Sequence, residues 1–193
     1  MKFLLTLPNI LTGFRFALIP VLMALFMIQQ SVAVEMAAFW VFVLAAVTDF
    51  VDGYLARKYK AETVLGKLMD PLADKALVTT ALIMLIPLGK IPAFASLIII
   101  CREIIVTGFR GLAATSGKVV AAGMLGKIKS NLQYFGLGFL IFPVGVLPVP
   151  YQHEIGRFLI YCSLVMAVWS AVDYFYKLRN LFLEAGVKAG VRS

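Results

Sequence analysis

The stretch AVEMAAFWVFVLAAVTDFVDGYLAR, residues 33–57, starts as a long apolar run and ends in Asp49-x-x-Asp52-Gly53-x-x-Ala56-Arg57. The segment KYKAETVLGKLMDPLAD, residues 58–74, follows with Gly66-x-x-x-Asp70-x-x-x-Asp74. An apolar run of this length reads as a membrane-spanning helix, so four aspartates stand in or against the hydrocarbon region. A carboxylate there costs about 2.5–3.5 kcal/mol on insertion scales, and four uncompensated ones would cost on the order of 10 kcal/mol. Something must neutralise them. Divalent cations are the natural candidates, because Mg²⁺ and Mn²⁺ prefer carboxylate oxygens and leave positions open for water and substrate phosphates.

Helical spacing brings these residues into register. At about 100° per residue, Asp49, Asp52, Gly53 and Ala56 share one narrow stripe. Thr63, Gly66, Asp70 and Asp74 form a second stripe on the next helix if that helix begins early enough. Two acidic stripes can then face each other. Gly53, Ala56 and Gly66 remove bulk between the acids, which leaves room for another helix or a ligand to approach.

The composition sets the surroundings. Of the 193 residues, 62% are hydrophobic and 15% charged, which excludes an ordinary soluble domain. The chain reads as an all-α integral membrane protein, one polytopic domain over residues 1–193, with apolar spans at 9–29, 33–56, 66–87, 91–114, 125–147 and 155–177. Met1 to Leu7, closed by Pro8, forms a short apolar leader that either lies along the interface as a helix or is a frayed terminus. The first span also has features of a signal peptide, with Ser31-Val32-Ala33 as a small-x-small site. That reading is rejected because the segment is long, Arg15 lies inside it and further spans follow.

Orientation follows from the basic residues. With a cytoplasmic N terminus and six spans, 16 of the 18 Lys and Arg residues fall on the cytoplasmic side or the inner halves of helices, leaving Lys90 and Arg157 outside. This is the positive-inside pattern. Eight of the ten acids share that side, Glu35 and Glu154 being the exceptions, so the Asp cluster opens toward the cytoplasm. Most of Lys58, Lys60, Lys177, Arg179, Lys188 and Arg192 are expected only to meet anionic headgroups. Nucleic-acid binding is excluded for want of a soluble basic module. Cys101 and Cys162 fall within spans and read as packing residues. His153 lies in an external turn with no second histidine, and Gly108-x-x-Gly111 and Gly136-x-Gly138 read as helix-packing surfaces.

The whole signature, DxxDGxxAR, eight residues, then GxxxDxxxD, resembles that of the CDP-alcohol phosphotransferases at every fixed position. Leu7-Pro8-Asn9-Ile10-Leu11-Thr12-x-x-Arg15, Cys101-Arg102-Glu103 through Arg110, and Gly126-Lys127-Ile128-Lys129-Ser130 are similar to the branch of bacterial phosphatidylglycerophosphate synthases. The resemblance implies six transmembrane helices around a cytoplasm-facing polar cavity, in homodimers, in the bacterial inner membrane with both termini cytoplasmic. It implies transfer of the phosphatidyl group from CDP-diacylglycerol to sn-glycerol 3-phosphate, with release of CMP. It implies two divalent cations, Mg²⁺ or Mn²⁺, held by Asp49, Asp52, Asp70 and Asp74, with Asp74 also the general base. Gly53, Arg57, Thr63 and Gly66 would hold CDP-diacylglycerol, and Asn9 and Thr12 would line the same pocket.

The acceptor's phosphate needs cationic donors. Arg102, Arg110, Lys127 and Lys129 lie on the inward halves of later helices and are the expected clamp. Lys127, Ser130, Asn131 and Tyr134 also recur at helical spacing as one polar face. The competing reading is that some of these cations only neutralise the Asp cluster, Glu103 or Asp173, and that Arg15 snorkels to the interface. Other acceptors stay open: phosphatidylglycerol in a cardiolipin synthase, inositol phosphate, or serine, which the basic cluster disfavours. A metal-ion transporter is the reading from another class, weakened because the acids lie on two adjacent helices with no matching constellation later in the chain.

Overall fold

Ser31 ends the first connection and opens the second helix. Its hydroxyl accepts from the Val34 amide at 3.3 Å and its carbonyl from the Glu35 amide at 2.9 Å, the arrangement expected of an N-cap serine. The computed structural model describes the backbone of residues 7–59, 64–115, 124–146 and 148–190, with side chains described at 12–48, 72–111, 113, 124, 126–146, 148–176 and 179. The regular secondary structure of the described residues is helical, without strands. The helices are α1 (Leu7–Met27), α2 (Val32–Tyr59), α3 (Val64–Met84), α4 (Ala93–Thr115), α5 (Met124–Ile141) and α6 (Gln152–Gly190).

Each apolar span of the sequence has its helix, and the departures have local causes. The helix expected to run to residue 147 stops at Ile141, where Pro143 removes a backbone donor and Gly145 turns the chain with φ +85°. Conversely, α6 continues past 177 to Gly190, because leaving the apolar zone does not end a helix that meets no breaker. The leader Met1 to Leu7 lies outside the described residues except for Leu7, the first residue of α1. Among the described residues, Gln152–Tyr176 of α6 is the one stretch long and apolar enough by itself to cross a membrane, and Thr12–Met27 and Val32–Thr48 are shorter apolar stretches.

The core joins α1, α2, α3, α4, α5 and α6 through buried residues such as Leu22, Phe42, Leu77, Ile99, Leu137 and Ile160. Most of the outward surface is also apolar: Trp40, Ile104, Phe135, Phe158 and Trp169 are each more than 60% exposed. The tightest packing joins α5 to α6. A Cβ on Gly156 would stand 2.8 Å from Leu140 Cγ and 3.1 Å from the Gly136 carbonyl, while one on Gly136 would meet Ile160 at 3.0 Å. Gly136 is therefore a packing glycine, whereas Gly108 and Gly111 face open space within the chain. Because Leu140 is fully buried, Gly156→Ala should destabilise the fold by about 1–3 kcal/mol, read as a lower thermal midpoint in detergent. Gly111→Ala, which meets no such contact among the described residues and gains helix propensity, should not lower the midpoint.

The connections after α1, α3 and α5 meet at one end of the bundle. Lys90 Nζ lies 2.7 Å from Glu35 Oε1, and Arg157 donates to the carbonyls of Lys90 at 3.1 Å and Gly89 at 3.3 Å. Gly89, with φ +65°, closes the turn that follows α3, its amide donating to the Ile86 carbonyl at 2.9 Å and that of Lys90 to the Leu85 carbonyl at 3.2 Å. The basic residues that the sequence assigns to the outer side are thus gathered in one network.

Candidate active site

Helix α2 runs unbroken through positions 49, 52, 53, 56 and 57, and α3 through 66, 70 and 74. The two helices pack against each other, so the halves of the acidic signature are carried by neighbouring elements. Asp74 is the signature aspartate whose side chain is described. It is half-buried and accepts a hydrogen bond from the Tyr134 hydroxyl of α5. The side chains of Asp49, Asp52, Gly53, Arg57, Gly66 and Asp70, and that of Asn9 on α1, lie outside the described residues, as does Thr63 altogether. Thr12 is buried on α1. Arg15, one turn further, is wholly buried, so it does not snorkel to an interface.

Around Asp74 the structure gathers cations from three helices. Lys75 lies within electrostatic reach of Asp74, Arg110 and Arg102. Lys129 lies within reach of Arg102, Asp74 and Lys75. Of the four basic residues expected to clamp the acceptor, Lys129 thus lies within reach of the expected base itself, and Arg102 and Arg110 within reach of the lysines beside it. Lys127 is exposed and is not among the charges acting on Lys75 or Lys129. Lys75 went unnoticed in the sequence, although adjacency to Asp74 was a signal that could have found it.

The cations are not equivalent. Arg102 Nη1 donates to Glu103 Oε1 at 2.9 Å, Nε to the Ala167 carbonyl at 3.1 Å and Nη2 to Ser170 Oγ at 2.5 Å. Its planar fork therefore ties α4 to α6. Lys129, only 3% exposed, is ion-paired to the same Glu103 oxygen. Arg110 lies with its guanidinium carbon 5.9 Å from the centroid of the buried Tyr174 ring, a cation–π distance. Glu103 thus neutralises part of the cluster, as the competing reading of Arg102 and Lys129 anticipated.

The polar face expected on α5 divides. Tyr134 turns to Asp74, Ser130 bonds back to the Gly126 carbonyl at 3.1 Å, and Asn131 lines a groove between α2 and α5. The buried polar side of α5 is instead Lys129 and Gln133, whose i, i+4 spacing was legible but was not singled out. Cys101 is exposed on α4, so it makes no core packing within the chain.

The profile of the CDP-alcohol phosphatidyltransferase family matches residues 5–169. The chain belongs to the CDP-alcohol phosphatidyltransferase family. Similar proteins include the CDP-diacylglycerol–glycerol-3-phosphate 3-phosphatidyltransferase of Rickettsia typhi, 37% identical over 176 residues that cover 91% of this chain and 98% of the relative. The protein of the same name from Bacillus subtilis is 38% identical over 185 residues, covering 89% of this chain and 94% of the relative. That from Haemophilus influenzae is 34% identical over 194 residues, covering 95% and 98%. As a CDP-alcohol phosphatidyltransferase, the chain is a transferase of a divalent-cation-dependent, membrane-associated family. Its residues suit such ions in donor chemistry: four carboxylates on two packed helices offer the hard oxygen ligands that Mg²⁺ and Mn²⁺ prefer. Among the described residues, no group of three or more His, Cys, Asp or Glu side chains is placed to hold a metal ion.

Proposed function

We propose that residues 1–193 form one membrane domain that transfers the phosphatidyl group of CDP-diacylglycerol to sn-glycerol 3-phosphate, giving phosphatidylglycerophosphate and CMP. The names of the relatives support both substrates. The observation that carries the reading is the neighbourhood of Asp74: a half-buried carboxylate that acts on Lys75 and Lys129, two lysines on which Arg102 acts as well, with Arg110 also acting on Lys75. A base and a cationic subsite side by side suit an acceptor that brings a hydroxyl and a phosphate together.

In this reading Arg110 and Lys129, with Arg102 behind them, hold the acceptor's phosphate, while Gly53, Arg57, Thr63 and Gly66, with Asn9 and Thr12, hold the lipid nucleotide. The acceptor's primary hydroxyl oxygen bonds to the β-phosphorus, the bond from that phosphorus to the CMP oxygen breaks, and the hydroxyl proton goes to Asp74. Two divalent cations, Mg²⁺ or Mn²⁺, held by Asp49, Asp52, Asp70 and Asp74, would supply fixed positive charge against the diphosphate and the departing oxygen.

The domain crosses a bacterial inner membrane six times with both termini and the polar cavity on the cytoplasmic side, and it works as a homodimer. The many large apolar side chains on the outward surface support burial in lipid. The gathering of Lys90, Arg157 and Glu35 at one end supports the orientation, because these are the charges that the positive-inside pattern leaves outside.

The test is CMP release by purified protein supplied with CDP-diacylglycerol and Mg²⁺, offered glycerol 3-phosphate, phosphatidylglycerol, inositol phosphate or serine in parallel. Turnover should be selective for glycerol 3-phosphate and vanish with EDTA. Turnover with another acceptor alone would overturn the acceptor assignment, and cation flux into liposomes without CMP release would overturn the enzyme reading.

A further inference from the structure

Tyr134 connects α2, α3 and α5 beside the candidate base. Its backbone is on α5, its ring lies 5.9 Å from the Phe42 ring of α2 at an interplanar angle of 38°, and its hydroxyl donates to Asp74 Oδ1 on α3. The ring also lines an open apolar groove of about 640 Å³ between α2 and α5, bounded by Phe39, Phe42, Val43, Phe135 and Gly138. A tyrosine with its ring in such surroundings directs its hydroxyl to whatever acceptor it can reach. Here that acceptor is the carboxylate to which the proton transfer has been assigned.

A carboxylate's terminal torsion is broad and roughly two-fold, so a carboxyl group held only by its stem presents its two oxygens in varying directions. Proton abstraction needs one oxygen within hydrogen-bond reach of the acceptor's hydroxyl. Lys75 acts on Asp74 as a compact charge on a flexible stem. A phenolic O–H on Oδ1 helps to fix the carboxylate plane, uses one of its roughly four lone-pair sites so that another remains for the cation that Asp74 would also hold, and leaves Oδ2 to receive the proton. The ring contact with Phe42 holds the tyrosine in turn, so the orientation of the base is set by the packing of α2 on α5.

We propose that Tyr134 is a positioning residue for transfer: its hydroxyl orients the Asp74 carboxylate so that Oδ2 faces the attacking hydroxyl. The proposal rests on the reading of Asp74 as the base, and it names a residue outside the acidic signature on which that base depends.

The experiment compares wild type with Tyr134→Phe, Tyr134→Leu and Asp74→Asn, using CMP release with glycerol 3-phosphate, direct binding of CDP-diacylglycerol, and thermal midpoint. Tyr134→Phe keeps the ring and its contact with Phe42 but removes the hydroxyl. It should lower kcat by about 10- to 100-fold, as expected for loss of a hydrogen bond to a charged group, while KM for both substrates and lipid-nucleotide binding stay within about twofold. Tyr134→Leu, which also removes the ring, should show the same kcat loss together with a lower thermal midpoint. A merely structural Tyr134 predicts the opposite split: near-normal kcat for Phe and a stability loss confined to Leu. Asp74→Asn separates the two levels of the argument. If it is inactive while Tyr134→Phe turns over like wild type, Asp74 remains the base and the positioning role is wrong. If Asp74→Asn itself retains turnover, the proposal falls together with the reading of Asp74.

Discussion

Asp74→Asn should lower CMP release by about 10²- to 10⁴-fold, the range that a positioned general base contributes. Substantial metal-dependent binding of CDP-diacylglycerol should remain. The two effects separate because of what the amide preserves. Asparagine has nearly the same shape, and its carbonyl can still accept from the Tyr134 hydroxyl that bonds Asp74 Oδ1. It has neither the charge nor the basicity to take a proton from the acceptor. Asp49, Asp52 and Asp70 remain as carboxylates, so the oxygen donor set is reduced rather than abolished. The measurement is kcat for CMP release beside direct lipid-nucleotide binding, with and without EDTA. Retained turnover would remove Asp74 as the base. Loss of turnover in proportion to loss of metal-dependent binding would make Asp74 a ligand only.

How much of this was legible without coordinates depends on whether the property is local. Hydropathy located all six helices because span length is set by the apolar run itself. It misplaced the ends of α5 and α6, since Pro143 and Gly145 stop one helix and nothing comparable stops the other. The acidic signature is local as well, being two stretches at helical spacing, and α2 through 57 and α3 from Val64 carry Asp49 to Arg57 and Gly66 to Asp74 on unbroken helices, while Thr63 lies outside the described residues. Partner choice is not local. Span positions and the positive-inside pattern put Arg102 and Lys129 on inward halves of different helices but could not say that one oxygen of Glu103 would meet both. Nor could it say that Arg102 would reach across to Ala167 and Ser170 on α6. Arg15 illustrates the same limit: a charge on an apolar helix either snorkels or is buried, and the neighbouring helices decide.

Lys129→Ala should raise KM for glycerol 3-phosphate by about 10- to 100-fold, as expected for a lost charge-assisted hydrogen bond, with a smaller effect on kcat and little on CDP-diacylglycerol binding. Lys129 is singled out by what the other cations already do. Arg102 donates to Glu103, Ala167 and Ser170, which makes it a tie between α4 and α6, so Arg102→Ala should act mainly on stability. Arg110 rests on the Tyr174 ring. Lys129 is a compact ammonium with three donors on a flexible stem, buried beside Asp74, Lys75 and Arg102 and paired to Glu103. An arriving dianionic phosphate can draw such a group from a single carboxylate oxygen more readily than it can draw an arginine from three acceptors. The opposing expectation is that Lys129 is only the counterion of Glu103. Removing one partner of a buried pair then costs about 3–5 kcal/mol of stability and leaves acceptor KM untouched. Glu103→Gln and the double variant Glu103→Gln/Lys129→Ala decide between them. If Lys129 serves the acceptor, the KM defect persists in the double variant. If it serves Glu103, removing both partners restores the thermal midpoint and no KM defect appears in any of the three.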